Sequence, residues 1–195
     1  MVRDVNILET GQQRMTAIDL QSKLLQEGII MITSEITRDS VTEYQEQLFY
    51  LMSKYKAGDV VTIYINSPGG SVYSGLGLYD VIQVVKSKGI IVRTINIGVA
   101  ASMASILLMS GTPGHRESTA NSTVMVHELS SYDYGKIQEL KDSVEECERL
   151  QKRLNAIIEK SADPQLVDLC YRKDLWLSAE DAVKYKIIDK IIENE

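Results

Sequence analysis

The stretch Ile97-Gly98-Val99-Ala100-Ala101-Ser102-Met103 decides how this chain folds. It joins an apolar, β-branched run over residues 90–97 to a helix-like segment over residues 103–109. Earlier in the chain, a second apolar run over residues 60–65 ends in the glycine turn Asn66-Ser67-Pro68-Gly69-Gly70-Ser71, which also leads into a helix-like segment. Continuous apolar strands that alternate with helices are typical of parallel sheets with both faces covered. The pattern therefore predicts an α/β fold.

Outward from these two units, the same alternation continues along the chain. Apolar spacing predicts a short helix over residues 18–25 and a longer helix over residues 41–51, with Asp39-Ser40 as its caps. Residues 111–121 are interpreted as a loop, and Ser178-Ala179-Glu180-Asp181 as a capping box that opens a last helix. The remaining apolar runs predict three further strands, over residues 29–32, 124–127 and 187–192.

The longest helical pattern in the chain lies over residues 137–158. A helix of that length measures about 33 Å at 1.5 Å per residue, the scale of a whole small domain. Its apolar residues recur three or four positions apart and form one stripe, with charged residues elsewhere. They are Ile137, Leu140, Val144, Cys147, Leu150, Leu154, Ile157 and Ile158. The stripe is interpreted as core, with a part that projects and packs against another subunit.

Composition is that of an ordinary globular protein. With 195 residues, 44% of them hydrophobic, the chain can bury a real core, and the pattern predicts one domain over residues 16–195 behind a flexible, polar arm over residues 1–15. The 21 basic and 27 acidic residues give a net charge of −6 without a basic cluster, which argues against nucleic-acid binding.

The two cysteines, Cys147 and Cys170, form no C-x-x-C pattern and no disulfide framework, which favours a reducing compartment. No apolar run is long enough to span a membrane, and no secretory signal is visible at the start. A cytoplasmic location is therefore expected, with an organellar or viral origin left open.

Few side chains offer nucleophilic chemistry with a matching base. Ser102 lies at a strand-to-helix turn, where backbone N–H groups point towards a developing negative charge. His127 ends the next strand-like run, whereas His115 lies in a polar loop and is expected to face solvent. A third, acidic member would orient the imidazole, but 27 acids compete and spacing does not choose among them.

Each of these residues also has an ordinary structural interpretation. Ser102 could cap a buried small-residue helix, and His127 could be a packing residue. Gly69-Gly70 could form an oxyanion donor, a phosphate cradle or a plain turn, although no Gly-rich nucleotide-binding motif accompanies it. A metal site is not expected, because two dispersed histidines and two dispersed cysteines match no zinc spacing.

Taken together, these segments resemble the ClpP family of caseinolytic-type serine peptidases along nearly the whole chain. The resemblance is carried by Ile63-Tyr64-Ile65-Asn66-Ser67-Pro68-Gly69-Gly70-Ser71-Val72, Gly98-Val99-Ala100-Ala101-Ser102-Met103, Asn121-Ser122-Thr123-Val124-Met125-Val126-His127, and Arg172-Lys173-Asp174 with Leu177-Ser178-Ala179-Glu180-Asp181-Ala182-Val183. Near the start, Glu9-Thr10-Gly11 and Asp19-Leu20-Gln21-Ser22-Lys23-Leu24-Leu25 look like the axial loop and first helix of that family.

The resemblance implies a site and a fold. Ser102 would be the nucleophile, His127 the general base and Asp174 the orienting acid. The backbone N–H groups of Gly70 and Met103 would form the oxyanion hole. The implied fold is the superhelix of βα units shared with crotonase enzymes, with a projecting handle region over residues 128–162.

The resemblance also implies assembly and partners. Two heptameric rings would stack through the handle into a tetradecamer, fed with unfolded proteins by an AAA+ unfoldase of the ClpX, ClpA or ClpC type. The chain itself would need no cofactor, since the unfoldase uses the ATP. Two alternatives stay open beside this serine endopeptidase: a catalytically weak ring subunit, and a crotonase-type acyl-CoA enzyme.

Several positions depart from the family pattern. Ala104 and Lys186 stand where glycine is usual, Glu128-Leu129 replaces Gln-Pro, and Ser130-Ser131 replaces a glycine pair. Because of these departures, the shape of the substrate cleft, the contact between rings and the peptide preference do not follow from the resemblance.

Overall fold

A computed structural model describes residues 6–10 and 15–192 of the chain. The strands are β1 (Asn6–Thr10), β2 (Met15–Asp19), β3 (Ile29–Ile32), β4 (Val60–Ser67), β5 (Ile91–Ala101), β6 (Arg116–Thr119), β7 (Thr123–Val126), β8 (Leu175–Leu177) and β9 (Lys190–Ile192). The helices are α1 (Leu20–Gln26), α2 (Arg38–Lys54), α3 (Val72–Ser87), α4 (Met103–Met109), α5 (Ile137–Ser161), α6 (Gln165–Cys170) and α7 (Ala179–Lys184).

A mostly parallel sheet organises the fold, as the apolar strands predict. Its strand order is β3-β4-β5-β6-β9, and β7 pairs in parallel with the far end of β5. The one antiparallel neighbour in this sheet is β8, which pairs with β7. Helices pack on these strands, and α4 is buried along its whole length. The α/β fold predicted from the sequence is confirmed.

Several boundaries differ from the predictions. Helix α2 is capped by Thr37 rather than by Asp39-Ser40, because Thr37 and Ser40 exchange side-chain and backbone hydrogen bonds in a capping box. The predicted loop over 111–121 contains the strand β6, whose polar sequence hides its pairing with β5 and β9. The cap predicted at Ser178 is confirmed, since its hydroxyl accepts from the backbone N–H of Asp181.

Residues 1–15 are predicted as an arm without regular structure, but the described part of that range is paired. Strand β1 forms an antiparallel ladder with β2, from Asn6 opposite Asp19 to Thr10 opposite Met15. Neither segment shows a regular spacing of apolar residues in the sequence. The two strands form because their backbone N–H and C=O groups pair with each other. Residues 1–5 and 11–14 lie outside the described residues.

Helix α5 divides into a buried and an exposed half. Leu150, Leu154 and Ile158 join the main core, each at most 7% exposed. Ile137 and Val144, on the same stripe, are 77% and 58% exposed. Over the described residues, no helix is both long and apolar enough to cross a membrane.

The turn after α7 contains an unusual backbone conformation. Lys186 has a φ of +57°, in the left-handed region that favours glycine. Its N–H donates to the carbonyl of Val183, and the N–H of Ile187 donates to that of Ala182, which is the Schellman pattern of hydrogen bonds. The glycine that the family resemblance expects here would fit this conformation without strain.

Lys186→Gly is expected to stabilise the protein by about 1 kcal/mol, because the substitution relieves the left-handed strain of a residue with a Cβ. Urea unfolding monitored by circular dichroism measures the change. Lys184→Gly, at the last residue of α7, is the control and should destabilise the protein, because Lys184 is helical and gains nothing from glycine. A Lys186→Gly variant less stable than the parent would contradict the assignment of strain.

Candidate active site

Strand register brings Ser102 and His127 to one edge of the sheet. Ser102 follows Ala101, the last residue of β5, and His127 follows Val126, the last residue of β7. The two strands are parallel, with Ala101 opposite Met125, and the N–H of Ser102 donates to the carbonyl of Met125 at 2.9 Å. The carboxyl ends of parallel strands meet at the same edge of a sheet, so the two side chains meet there.

Asp174 reaches the same edge from the opposite direction. It directly precedes β8, which runs antiparallel to β7 with Leu175 opposite Val126. The residue before Leu175 therefore lies across from the residue after Val126, which is His127. This pairing distinguishes Asp174 from the other acids of the chain, a choice that residue spacing alone leaves open.

The three side chains form a chain of contacts. His127 Nε2 lies 2.8 Å from Ser102 Oγ, within hydrogen-bond distance. On the other side of the ring, His127 Nδ1 lies 3.7 Å from Asp174 Oδ1. The side chain of His127 is 22% exposed and that of Asp174 is 64% exposed, so the acid is the solvent-facing end.

Ser102 is held in a strained backbone conformation. Its φ is +54°, and among the described residues only Lys186 shares such a value without being glycine. The Ser102 carbonyl accepts two hydrogen bonds from Ser105, one from its hydroxyl at 2.7 Å and one from its N–H at 3.0 Å. A sharp strand-to-helix turn of this kind presents a serine hydroxyl away from the backbone, as in nucleophile elbows.

The glycine turn after β4 packs directly against Ser102. Gly69 has a φ of +94°, and a Cβ there would lie 2.6 Å from the Ala101 carbonyl oxygen and 2.7 Å from Ser102 Cβ. Gly70, with a φ of +145°, forms a bridge with Ile36 through the Gly69 carbonyl and the Ser71 N–H. The turn therefore requires glycine both for its backbone angles and for its closeness to the serine.

Two backbone N–H groups beside Ser102 have no protein acceptor within the described part of the chain. They belong to Gly70, whose bridge with Ile36 uses the neighbouring residues, and to Met103, the first residue of α4. Both residues line a cavity of about 80 Å³ together with Ser102 and His127. Backbone donors without an acceptor, in the same cavity as a serine hydroxyl, are what an oxyanion hole requires.

Mostly apolar side chains line the rest of this small cavity, together with Ser105, Ser130 and one buried amide. The lining includes Val72, Ile106, Leu154 and Ile158. Gln151 of α5 also lines it, is only 7% exposed, and accepts a hydrogen bond from the Leu129 N–H at 2.7 Å. The sequence analysis did not single out Gln151, because in the sequence it is only a polar residue next to Leu150 of the apolar stripe.

A second contact that the sequence did not predict fixes α5 against α3. Glu146 accepts hydrogen bonds from Arg149 at 2.6 Å and from the Tyr73 hydroxyl at 2.8 Å. The Arg149 bonds, followed by the Tyr73 bond, lower the pKa of Glu146 to about 2. Glu146 is therefore a carboxylate at neutral pH, and it links α5 to the helix that follows the glycine turn.

Comparison with known proteins agrees with this geometry. The family model described as Clp protease matches residues 11–195. The chain belongs to the Clp protease family. It is therefore a peptidase, a hydrolase of the Clp type, and the resemblance drawn from its motifs is confirmed.

Curated relatives cover most of both chains. The ATP-dependent Clp protease proteolytic subunit of Bacteroides fragilis strain ATCC 25285 is 38% identical over 95% of this chain and 89% of its own length. The subunit of the same name from Porphyromonas gingivalis is 39% identical over 96% of this chain and 83% of its own length. The one from Bacteroides thetaiotaomicron is 37% identical, over 95% and 84%.

Gly69→Ala is expected to slow the reaction of Ser102 with a fluorophosphonate by about 10- to 100-fold. The added methyl group would displace Ser102, and a displacement near 1 Å costs about that factor. Labelling rates measured by mass spectrometry of the intact protein test the expectation.

The chain offers a matched control at Gly58. Its φ of +93° is nearly the same as that of Gly69, but a Cβ there would meet nothing within 4 Å. Gly58→Ala should therefore carry the same backbone cost and leave the labelling rate unchanged. Equal rates for the two variants would show that the closeness of Gly69 to Ser102 has no consequence.

Proposed function

We propose that the chain hydrolyses peptide bonds of unfolded proteins through an acyl-enzyme on Ser102. His127 is the general base, Asp174 orients the imidazole, and the N–H groups of Gly70 and Met103 hold the oxyanion. The observation that carries the proposal is the 2.8 Å contact between Ser102 Oγ and His127 Nε2 at a strained strand-to-helix turn. The reaction requires no cofactor.

Proton movements follow from this arrangement. Ser102 Oγ attacks the peptide carbonyl carbon while its proton passes to His127 Nε2, and the carbonyl oxygen becomes an oxyanion. The intermediate collapses when His127 returns the proton to the leaving amine, which leaves an ester on Ser102. Water then repeats the sequence: one of its protons passes to His127 and its oxygen bonds to the carbonyl carbon. The second intermediate collapses when His127 returns that proton to Ser102 Oγ, which breaks the ester bond and releases the carboxylic acid product.

Asp174 acts on the histidine rather than on the substrate. Its carboxylate lies on the Nδ1 side of the ring, which favours the tautomer with a proton on Nδ1 and a lone pair on Nε2. The 3.7 Å separation shortens to a hydrogen bond as the imidazolium forms, since catalytic hydrogen bonds tighten in the reacting complex.

The cavity beside Ser102 suits one modest apolar side chain of the substrate. At about 80 Å³, lined by Val72, Ile106, Leu154 and Ile158, it has little room for a large side chain. Apolar side chains are accessible in unfolded proteins and buried in folded ones. Substrates of this kind need a partner that unfolds them.

The names of the curated relatives supply the rest of the proposal. They are proteolytic subunits of ATP-dependent proteases, so an ATP-using unfoldase of the AAA+ class is proposed as the partner. Stacked heptameric rings would enclose the sites, and the exposed Ile137 and Val144 of α5 are proposed to form the contact between rings. The unpaired Cys147 and Cys170 fit a reducing compartment such as the cytoplasm.

Neither alternative function has comparable support. A crotonase-type acyl-CoA enzyme has no need of a serine paired with a histidine. In a catalytically weak ring subunit, the strained backbone at Ser102 would lower stability without serving a reaction. The family match is to proteases.

Ser102→Ala is expected to lower hydrolysis of a fluorogenic peptide by a factor on the order of 10⁴ or more, because no other group supplies the nucleophile. Labelling by a fluorophosphonate should disappear as well. Ser87→Ala, which removes an exposed hydroxyl at the end of α3, is the control and should retain both. Undiminished labelling in Ser102→Ala would rule out Ser102 as the nucleophile.

Val144→Glu is expected to separate stacked rings, because it places a charge on the exposed apolar stripe of α5. Sedimentation velocity should show a species of half the mass of the parent. Gln138→Glu adds the same charge beside the stripe and should leave the assembly intact. A parent protein that sediments only as a monomer would contradict the ring proposal.

A further inference from the structure

The segment after His127 is held in place by few hydrogen bonds. Strand β7 ends at Val126, and residues 127–136 form neither helix nor strand. Within the described part of the chain, residues 128–131 make a single hydrogen bond to the rest of the molecule, from the Leu129 N–H to Gln151 Oε1 at 2.7 Å. The position of His127 therefore depends on β7 on one side, and on this bond and the packing of Leu129 against the core on the other.

Gln151 belongs to a relay of side-chain hydrogen bonds. Its Nε2 donates to Asn155 Oδ1 at 2.7 Å, one helical turn further along α5. Asn155 Nδ2 in turn donates to the Tyr171 hydroxyl at 3.2 Å. The backbone N–H of Leu129 can only donate, so it fixes the orientation of the Gln151 amide, and that amide fixes the orientation of Asn155.

The two ends of the relay lie beside the two residues proposed to work with Ser102. Leu129 is two residues after His127, and Tyr171 is three residues before Asp174. Neither His127 nor Asp174 lies within a strand, since β7 ends before the first and β8 begins after the second. The relay joins both flanking segments to one face of α5.

Burial makes the bond to Gln151 difficult to replace. Gln151 is 7% exposed and lines two cavities, the small one at Ser102 and a groove of about 720 Å³ that also touches Leu129 and Tyr171. Leu129 and Gln151 therefore form the wall between them. A half-buried N–H that loses its acceptor costs about 1–3 kcal/mol, so the segment would move rather than leave Leu129 unpaired.

We infer that Gln151 is a positioning residue for catalysis, which holds residues 128–131 so that the His127 ring stays within reach of Ser102 and Asp174. The inference rests on the proposed function, since it concerns the base of that reaction. Gln151 does not touch the reacting atoms, and its effect passes through the backbone of Leu129.

Gln151→Met tests the inference, because methionine keeps the volume and apolar contacts of the side chain but removes the acceptor. The kcat for a fluorogenic peptide and the rate of fluorophosphonate labelling of Ser102 should both fall by about 10- to 100-fold, with KM changed less than threefold. Gln151→Glu retains an oxygen acceptor for Leu129 and should recover most of the loss. Hydrogen exchange of the peptide that contains Leu129 should be faster in Gln151→Met alone.

Gln47→Leu is the matched control. Gln47 also donates its amide to a side chain one turn away, Glu43 at 3.1 Å, but it lies on α2 and makes no contact with the segment after His127. It should leave kcat unchanged. If Gln151→Met does not fold, Asn155→Ala removes the next member of the relay and should lower kcat severalfold.

The outcomes separate this inference from the proposed function. Activity and labelling in the parent, absent in Ser102→Ala and unchanged in Gln151→Met, would overturn the inference and leave the proposed function standing. Equal losses in Gln151→Met and Gln151→Glu, accompanied by equal losses of thermal stability, would also overturn it, because the role would then be structural. A parent protein without activity or labelling would overturn both.

Discussion

The register among β5, β7 and β8 determines where the proposed catalytic residues meet. Parallel pairing of β5 with β7 brings the residues after Ala101 and Val126 to one edge, and antiparallel pairing of β8 brings the residue before Leu175 to the same place. A shift of one residue in either ladder would turn every side chain to the other face of the sheet. The backbone hydrogen bonds of the β5–β7 and β7–β8 ladders therefore bring Ser102, His127 and Asp174 together. The contacts among their side chains form as a result.

Ser102 and His127 lie just beyond the ends of β5 and β7, and the two residues are held there in different ways. Ser102 carries backbone strain of about 1–3 kcal/mol, which its bonds to Met125 and Ser105 offset. His127 carries no such strain, but its segment is tied by the one bond to Gln151 described above. The proposed nucleophile is thus held by a rigid turn and the proposed base by a loop, so small structural changes are expected to displace His127 first.

The spacing of apolar residues predicted the central strands of the sheet well and its outer strands less well. The apolar runs of β4 and β5 show their burial directly in the sequence, whereas β6 is polar and its strand character arises from pairing with β5 and β9. In the site, motif resemblance predicted Ser102, His127 and Asp174 as the catalytic residues, and their side chains lie next to one another in the structure. Gln151 could not be found in this way, because its importance depends on the backbone N–H of Leu129, which no sequence pattern shows.

Helix α5 has two roles: its second half supports the candidate site, and its first half presents exposed apolar side chains. Its second half contributes Leu154 and Ile158 to the small cavity at Ser102 and Gln151 to the support of the segment after His127, while its first half leaves Ile137 and Val144 exposed. A helix is stiff along its axis, since each residue is bonded to the one four positions away. The two halves therefore belong to one stiff element, and the Tyr73–Glu146–Arg149 cluster fixes the helix between them. The proposed contact between rings and the support of the proposed base, His127, thus depend on the same helix.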